Sequence, residues 1–136
     1  DSRWLAFESN RDGDFQIHTL SLEGGEPRRL TALSTGASQP VWSPDGKHVA
    51  FISSVFPEFS EKPFAEADRL NRTRLEEREK SPVKARLITQ LLYRHWDSWV
   101  DGRRQHLFVI PVEDGAANTS LIPAPSSATP RQLGLF

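Results

Sequence analysis

The sequence predicts a mainly β fold, about two four-stranded antiparallel units with a helical insertion in the second. Three observations predict it. Segments of the chain repeat, tight-turn signals recur between them in one order, and the short apolar runs alternate with a period of two. Residues 1–10, DSRWLAFESN, match residues 45–54, DGKHVAFISS. Asp1 meets Asp45, Leu5 meets Val49, Ala6-Phe7 meets Ala50-Phe51 and Ser9 meets Ser53, an offset of 44 residues. Residues 16–25, QIHTLSLEGG, match residues 106–115, HLFVIPVEDG, at an offset of 90. The second copy therefore holds extra chain between its two matched strands. A shorter echo pairs Pro27-Arg28-Arg29-Leu30 with Pro130-Arg131-Gln132-Leu133.

Taken in order, the elements are these. Trp4–Ser9 and Phe15–Leu22 are strands joined by the turn Arg11-Asp12-Gly13-Asp14. Glu23-Gly24-Gly25 turns the chain into a short outer strand at Arg28–Thr31. Val41-Trp42-Ser43 is a strand closed by Pro44-Asp45-Gly46, where proline second and glycine fourth suit a type I turn starting at Ser43. Lys47–Ser53 follows, with Val49 and Phe51 on one face. Leu5, Phe7, Trp42, Val49, Phe51 and Phe108 are the expected core. The unit is a four-stranded meander on a period of about 40–45 residues, the blade of a β-propeller. An antiparallel sandwich has the same local signals; the recurrence of the turns in order favours the propeller. The expected organisation is a partial first blade and the start of a second at 1–54, a helical insertion at 55–104, and the rest of the second blade at 105–136, interrupted by an Ala/Ser/Pro-rich flexible loop at 116–129.

The insertion reads as two helices. Pro63 suits a first helical position, and FAEADRLNRTRLEEREK is rich in helix formers. Ser81-Pro82 resembles an N-cap with a first-turn proline, and Val83, Leu87, Ile88 and Leu91 then share a face. The mixed charges of Arg69–Lys80 describe a solvated helix surface with pairs such as Glu76–Lys80.

The strings PVWSPDGKHVAF and SNRDGDFQIHTLSLEGGEPRRLT resemble the TolB-type propeller repeat. That repeat occurs in TolB proteins and in the N-terminal propellers of the prolyl oligopeptidase family of serine peptidases. LLYRHWDSWVDGRRQHLFVIPV, at 91–112, resembles the segment entering the third strand of a blade in the acylaminoacyl-peptidase and bacterial dipeptidyl-peptidase branch. HWDSW departs from relatives that carry glycine in that loop. The resemblance implies a non-catalytic propeller segment that gates access and helps bind peptide for a separate α/β-hydrolase domain of the parent chain. It implies substrate-binding roles for Glu76, Glu77, Arg94, Trp96, Asp97 and Trp99; the plainer role for the aromatics is packing of the insertion onto the blade. The alternatives are a TolB-type protein-binding scaffold with no associated peptidase, and a sensor propeller attached to another enzyme.

Composition narrows the classes. Net charge is −1, so no basic field recruits nucleic acid or an acidic membrane surface. There is no cysteine for disulfides or thiolate sites. The apolar fraction, 37%, is thin for a self-sufficient core. No G-x-S-x-G nucleophile elbow is present; Gly36-Ala37-Ser38-Gln39-Pro40 lacks the second glycine. His18, His48, His95 and His106 are scattered, with no zinc-helix pair and no phosphate-cradling glycine loop. No catalytic residue, cofactor or metal is therefore expected in the chain. It opens on Asp1 and reads as part of a longer polypeptide, with apolar faces that invite self-association.

Overall fold

The computed structural model describes residues 3–83, 85, 88, 94–95, 98–99, 101–113, 116–117 and 131–133. The first sheet is three-stranded, β1 (Trp4–Ser9), β2 (Gln16–Ser21) and β3 (Arg28–Arg29), in that order. The second contains β4 (Ser38–Trp42), β5 (His48–Val55), β8 (Arg104–Glu113) and β10 (Arg131–Leu133) in the order β10-β8-β5-β4, with β9 (Ala116–Ala117) also pairing β8. Between β5 and β8 come a 3₁₀ turn (Pro57–Phe59), helix α1 (Phe64–Lys80) and a two-stranded pair, β6 (Arg94–His95) with β7 (Ser98–Trp99). Among the described residues the fold is mainly β, with antiparallel sheets and one α-helix.

The sequence repeat is reproduced by the strand registers. In the first sheet Leu5 lies opposite Leu20 and Phe7 opposite His18. At the corresponding positions of the second, Val49 lies opposite Ile110 and Phe51 opposite Phe108. Phe7 stacks on His18 at 5.8 Å, and Phe51 stacks on Phe108 at 5.6 Å. The outer strands agree as well: Arg28 pairs with Thr19, and Arg131 with the equivalent Val109. The two sheets are thus equivalent pair by pair, although the second is interrupted by the insertion.

Local chemistry sets the turns. The Gly46 amide donates to the Ser43 carbonyl at 2.9 Å, closing the expected turn, with Gly46 in the left-handed region at φ 69. Ser43 Oγ accepts the His48 amide, and Asp45 Oδ1 accepts the Lys47 amide and the Ser43 hydroxyl. Those bonds, from Ser43 first and Lys47 second, hold the exposed Asp45 carboxyl below its ordinary value. Gly13 closes the β1–β2 turn onto Asn10 in the same way, at 3.0 Å.

The core lies between the sheets. Ala6 and Ile17 from the first sheet, with Leu30 and Leu33, meet Val49, Phe51, Val55, Phe108, Ile110 and Val112 from the second. The burial of β5 alternates residue by residue, as expected for a strand with one buried face. Leu5 and Phe7, expected in the core, are not: Leu5 is 48% exposed and Phe7 half-buried. They occupy the positions of Val49 and Phe51 but point away from the second sheet, and no described element covers them. Trp42 is also only half-buried, packed at the core's edge.

A buried polar cluster fixes the loop after β3. Gln16 Nε2 donates to the Leu33 carbonyl at 2.7 Å, while its Oε1 accepts the Leu33 amide and the Thr31 hydroxyl. Thr31 Oγ1 in turn accepts the Ile17 amide at 2.9 Å. Every polar atom of the Gln16 amide group is engaged, as burial at 2% exposure requires.

The insertion corrects two expectations. Pro63 is the N-cap of α1, not its first residue, and Ser81 ends that helix, its amide donating to the Glu77 carbonyl at 3.0 Å, so it does not start another. Of the second helix expected after Ser81, the described residues Pro82, Val83, Ala85 and Ile88 are not helical, and the others lie outside the described residues. Of the expected flexible loop at 116–129, only Ala116–Ala117 are described, as β9.

Candidate functional site

Helix α1 carries almost no apolar stripe, and polar contacts spaced along one side dock it. Phe64 meets Phe108 edge-on at 6.0 Å. One turn on, Asp68 Oδ1 accepts both the Ser34 amide, at 2.9 Å, and the Ser34 hydroxyl, at 2.7 Å. Asn71, 3% exposed, accepts the Phe56 amide at 2.9 Å and donates to the Ala67 carbonyl. The Arg74 guanidinium lies over the Phe56 ring, 5.6 Å from its centre, and pairs with Glu58. Arg78 donates to the Asp101 carbonyl at 3.2 Å. The charged stretch is largely exposed, as expected, but its inward positions form the seam that joins the insertion to the loop after β3 and to the segments flanking β5 and β8.

Asp101 secures the far end of the seam. Arg103 Nε lies 2.6 Å from Asp101 Oδ2, and the Arg103 amide donates to Oδ1 at 3.0 Å. Burial works against the charged carboxylate. The bonds from the Arg103 amide and guanidinium, with the charges of Arg103 and Arg78, outweigh it and hold Asp101 below the ordinary carboxylate value. His106, on β8, is pushed down by burial.

The docked helix forms one wall of a polar cleft of about 440 Å³, lined by Asp14, Ser34, Thr35, Arg72, Leu75, Glu76, Glu79 and Arg103. Carboxylates from the β1–β2 turn and from α1 converge there. The two cations are already engaged, Arg72 by Asp68 at 3.5 Å and Arg103 by Asp101.

Glu76 lines this cleft and accepts from Lys80 at 3.2 Å, the pair expected on a solvated helix surface. Glu77 is exposed and does not line the cleft. Arg94 and Trp99 are opposed in the β6–β7 pair; Trp96 and Asp97 lie outside the described residues. Ser38, the serine of the imperfect elbow, sits in β4, and Gln39 beside it adopts φ 54 at a bulge between Ser38 and Val41. No group of three His, Asp or Glu able to hold a metal occurs among the described residues. No described helix is long and apolar enough to cross a membrane. Asp68, Asn71 and Asp101, which position the cleft, were not singled out in the sequence. Their only local signal was their place within a polar helix and before the Arg103-Arg104 pair.

No family model matches the chain. It is 52% identical over 56 residues, 40% of its length, to an "Uncharacterized peptidase YuxL" of Bacillus subtilis. It is 29% identical over 120 residues, 88% of its length, to "Dipeptidyl-peptidase 5" of Porphyromonas gingivalis. It is 26% identical over 110 residues, 80% of its length, to "Dipeptidyl-peptidase 5" of Porphyromonas endodontalis. The chain spans 8%, 16% and 14% of the lengths of these three relatives. It is related, by these similarities, to proteins named as peptidases.

Proposed function

We propose that the chain is a non-catalytic β-propeller segment of a prolyl-oligopeptidase-family serine peptidase. It restricts access and helps bind peptide for a separate α/β-hydrolase domain of the same polypeptide. The observation that carries the reading is the equivalence of the two sheets. Val49 and Phe51 pack on the first sheet. Their counterparts Leu5 and Phe7 present the same kind of face outward. At the other end Ala50, Leu107 and Val109, the counterparts of Ala6, Ile17 and Thr19, lie half-buried on the far side of the second sheet. Head-to-tail stacking, with each sheet using one face toward its predecessor and one toward its successor, is the arrangement that blades of a ring would have. The peptidase names of the relatives and the absence of a nucleophile elbow in the sequence support assigning the hydrolysis to another domain.

In this reading the cleft beside α1 receives the cationic amino end of a peptide, with Glu76 as its partner; further peptide contacts are proposed for Glu77, Arg94, Trp96, Asp97 and Trp99. The test uses the full-length polypeptide and this 136-residue chain. Full-length protein should cleave dipeptidyl chromogenic substrates and label with a fluorophosphonate probe, and the chain alone should do neither. Glu76→Gln in the full-length protein removes a charge-assisted contact. KM should rise by about tenfold or more with kcat little changed. Hydrolysis by the stringently purified chain, or full-length protein that fails to label, would overturn the assignment. An unchanged KM in Glu76→Gln would remove Glu76 from it.

A further inference from the structure

A second cavity, of about 260 Å³, lies between the 3₁₀ turn, the first turns of α1 and the second sheet. Its lining is dominated by Phe56, Phe59, Phe64 and Phe108, with the small Ala67 on the helix wall. The rings are set edge to face, Phe56 to Phe59 at 72° and Phe64 to Phe108 at 76°. With one face of Phe56 under Arg74 and one face of Phe108 on Phe51, the half-buried Phe59 and Phe64 are the rings left to meet a further aromatic group.

Most polar groups at its border are engaged. Asn71 bonds Phe56 and Ala67, Asp68 bonds Ser34, and Thr35 bonds Ser53 at 2.7 Å. The exception is Ser60. Its Oγ is buried with no hydrogen-bond partner among the described residues, although its amide donates to the Pro57 carbonyl. Ser60 Oγ is thus a hydroxyl left to be satisfied at a wall made largely of rings. The volume also exceeds the roughly 150 Å³ that encloses a benzene molecule in an apolar cavity.

We infer that this cavity is a binding site for a small neutral aromatic molecule, up to the size of a fused bicycle, anchored by one hydrogen bond to the Ser60 hydroxyl. The site is independent of the peptidase reading: Glu76 does not line it, although Thr35 borders both it and the polar cleft.

The test is calorimetric titration of the full chain with 2-naphthol and with naphthalene, alongside Ala67→Leu and Ser60→Ala. The wild-type chain should bind both. Ala67→Leu fills the cavity and should weaken both by about tenfold or more, the equivalent of a site made too small for its ligand. Ser60→Ala should weaken 2-naphthol by about tenfold and leave naphthalene within about twofold, which a merely structural effect would not do. Where Ala67→Leu does not fold, judged by its circular dichroism, Phe59→Trp fills the same space and replaces it. No binding by the wild type, undiminished binding in the filled variant, or equal loss of both ligands in Ser60→Ala would each overturn the inference.

Discussion

Truncating Phe51 tests the assignment of the core most directly, because its repeat counterpart, Phe7, is an internal control. Phe51 is fully buried, stacked on Phe108 and flanked by Val49 and Ile110. A buried aromatic side chain removes about 150–250 Å² from water, and at about 25 cal/mol per Å² its transfer contribution is roughly 4–6 kcal/mol as an upper estimate. Alanine keeps part of that and leaves a cavity, so Phe51→Ala should cost about 3–5 kcal/mol. Phe7 stacks on His18, which holds the register position of Phe108, but Phe7 is only half-buried. With about half the area removed from water, Phe7→Ala should cost roughly 1–2 kcal/mol in the isolated chain. Urea unfolding of both variants and the parent, followed by circular dichroism at one protein concentration, measures the difference. A loss under about 1 kcal/mol for Phe51→Ala, or equal losses for the two variants, would refute the reasoning. In the full-length polypeptide the Phe7→Ala cost should rise toward that of Phe51→Ala, if a further sheet covers the outward face.

Three further outcomes are expected. Gln16→Ala strands the Thr31 hydroxyl and both backbone groups of Leu33 in a buried setting, and should lower stability by at least about 2 kcal/mol in the same urea assay; a loss under about 0.5 kcal/mol would contradict the described network. Asp101 has a native pKa below its unfolded value of 3.8, so its contribution to stability is complete above that value and is lost as pH falls through the lower native one. The stability gap between the parent and Asp101→Asn, read from thermal unfolding at about pH 7 and about pH 2, should therefore shrink in acid, and a pH-independent gap would rule out the ion-paired arrangement. The outward faces should drive self-association of the isolated chain, detectable by light scattering across concentrations and reduced by Leu5→Glu; a stable monomer at micromolar concentration would show that these faces need no partner.

The sequence by itself determined the strands, the turns and the pairing. Ser43-Pro44-Asp45-Gly46 closes because proline and glycine suit their turn positions and Asp45 accepts a nearby amide, all short-range effects. Once those turns are set, alternation fixes the register, and the offsets of 44 and 90 residues reappear as equivalent pairs across the two sheets. Which of two equivalent faces is buried depended on the tertiary structure. Leu5 and Val49 have the same alternation and the same cross-strand partner type, but only Val49 has a sheet in front of it. The insertion divides along the same line. Helix formers announced α1, and its docking through Asp68, Asn71 and Arg78 could not be read from a helix with no apolar stripe. Its partners are backbone groups of Ser34, Phe56 and Asp101, and main-chain amides and carbonyls leave no mark in a side-chain pattern. The cleft at Glu76 follows from that docking, because the helix reaches the loop after β3 only when those backbone groups are placed to receive it.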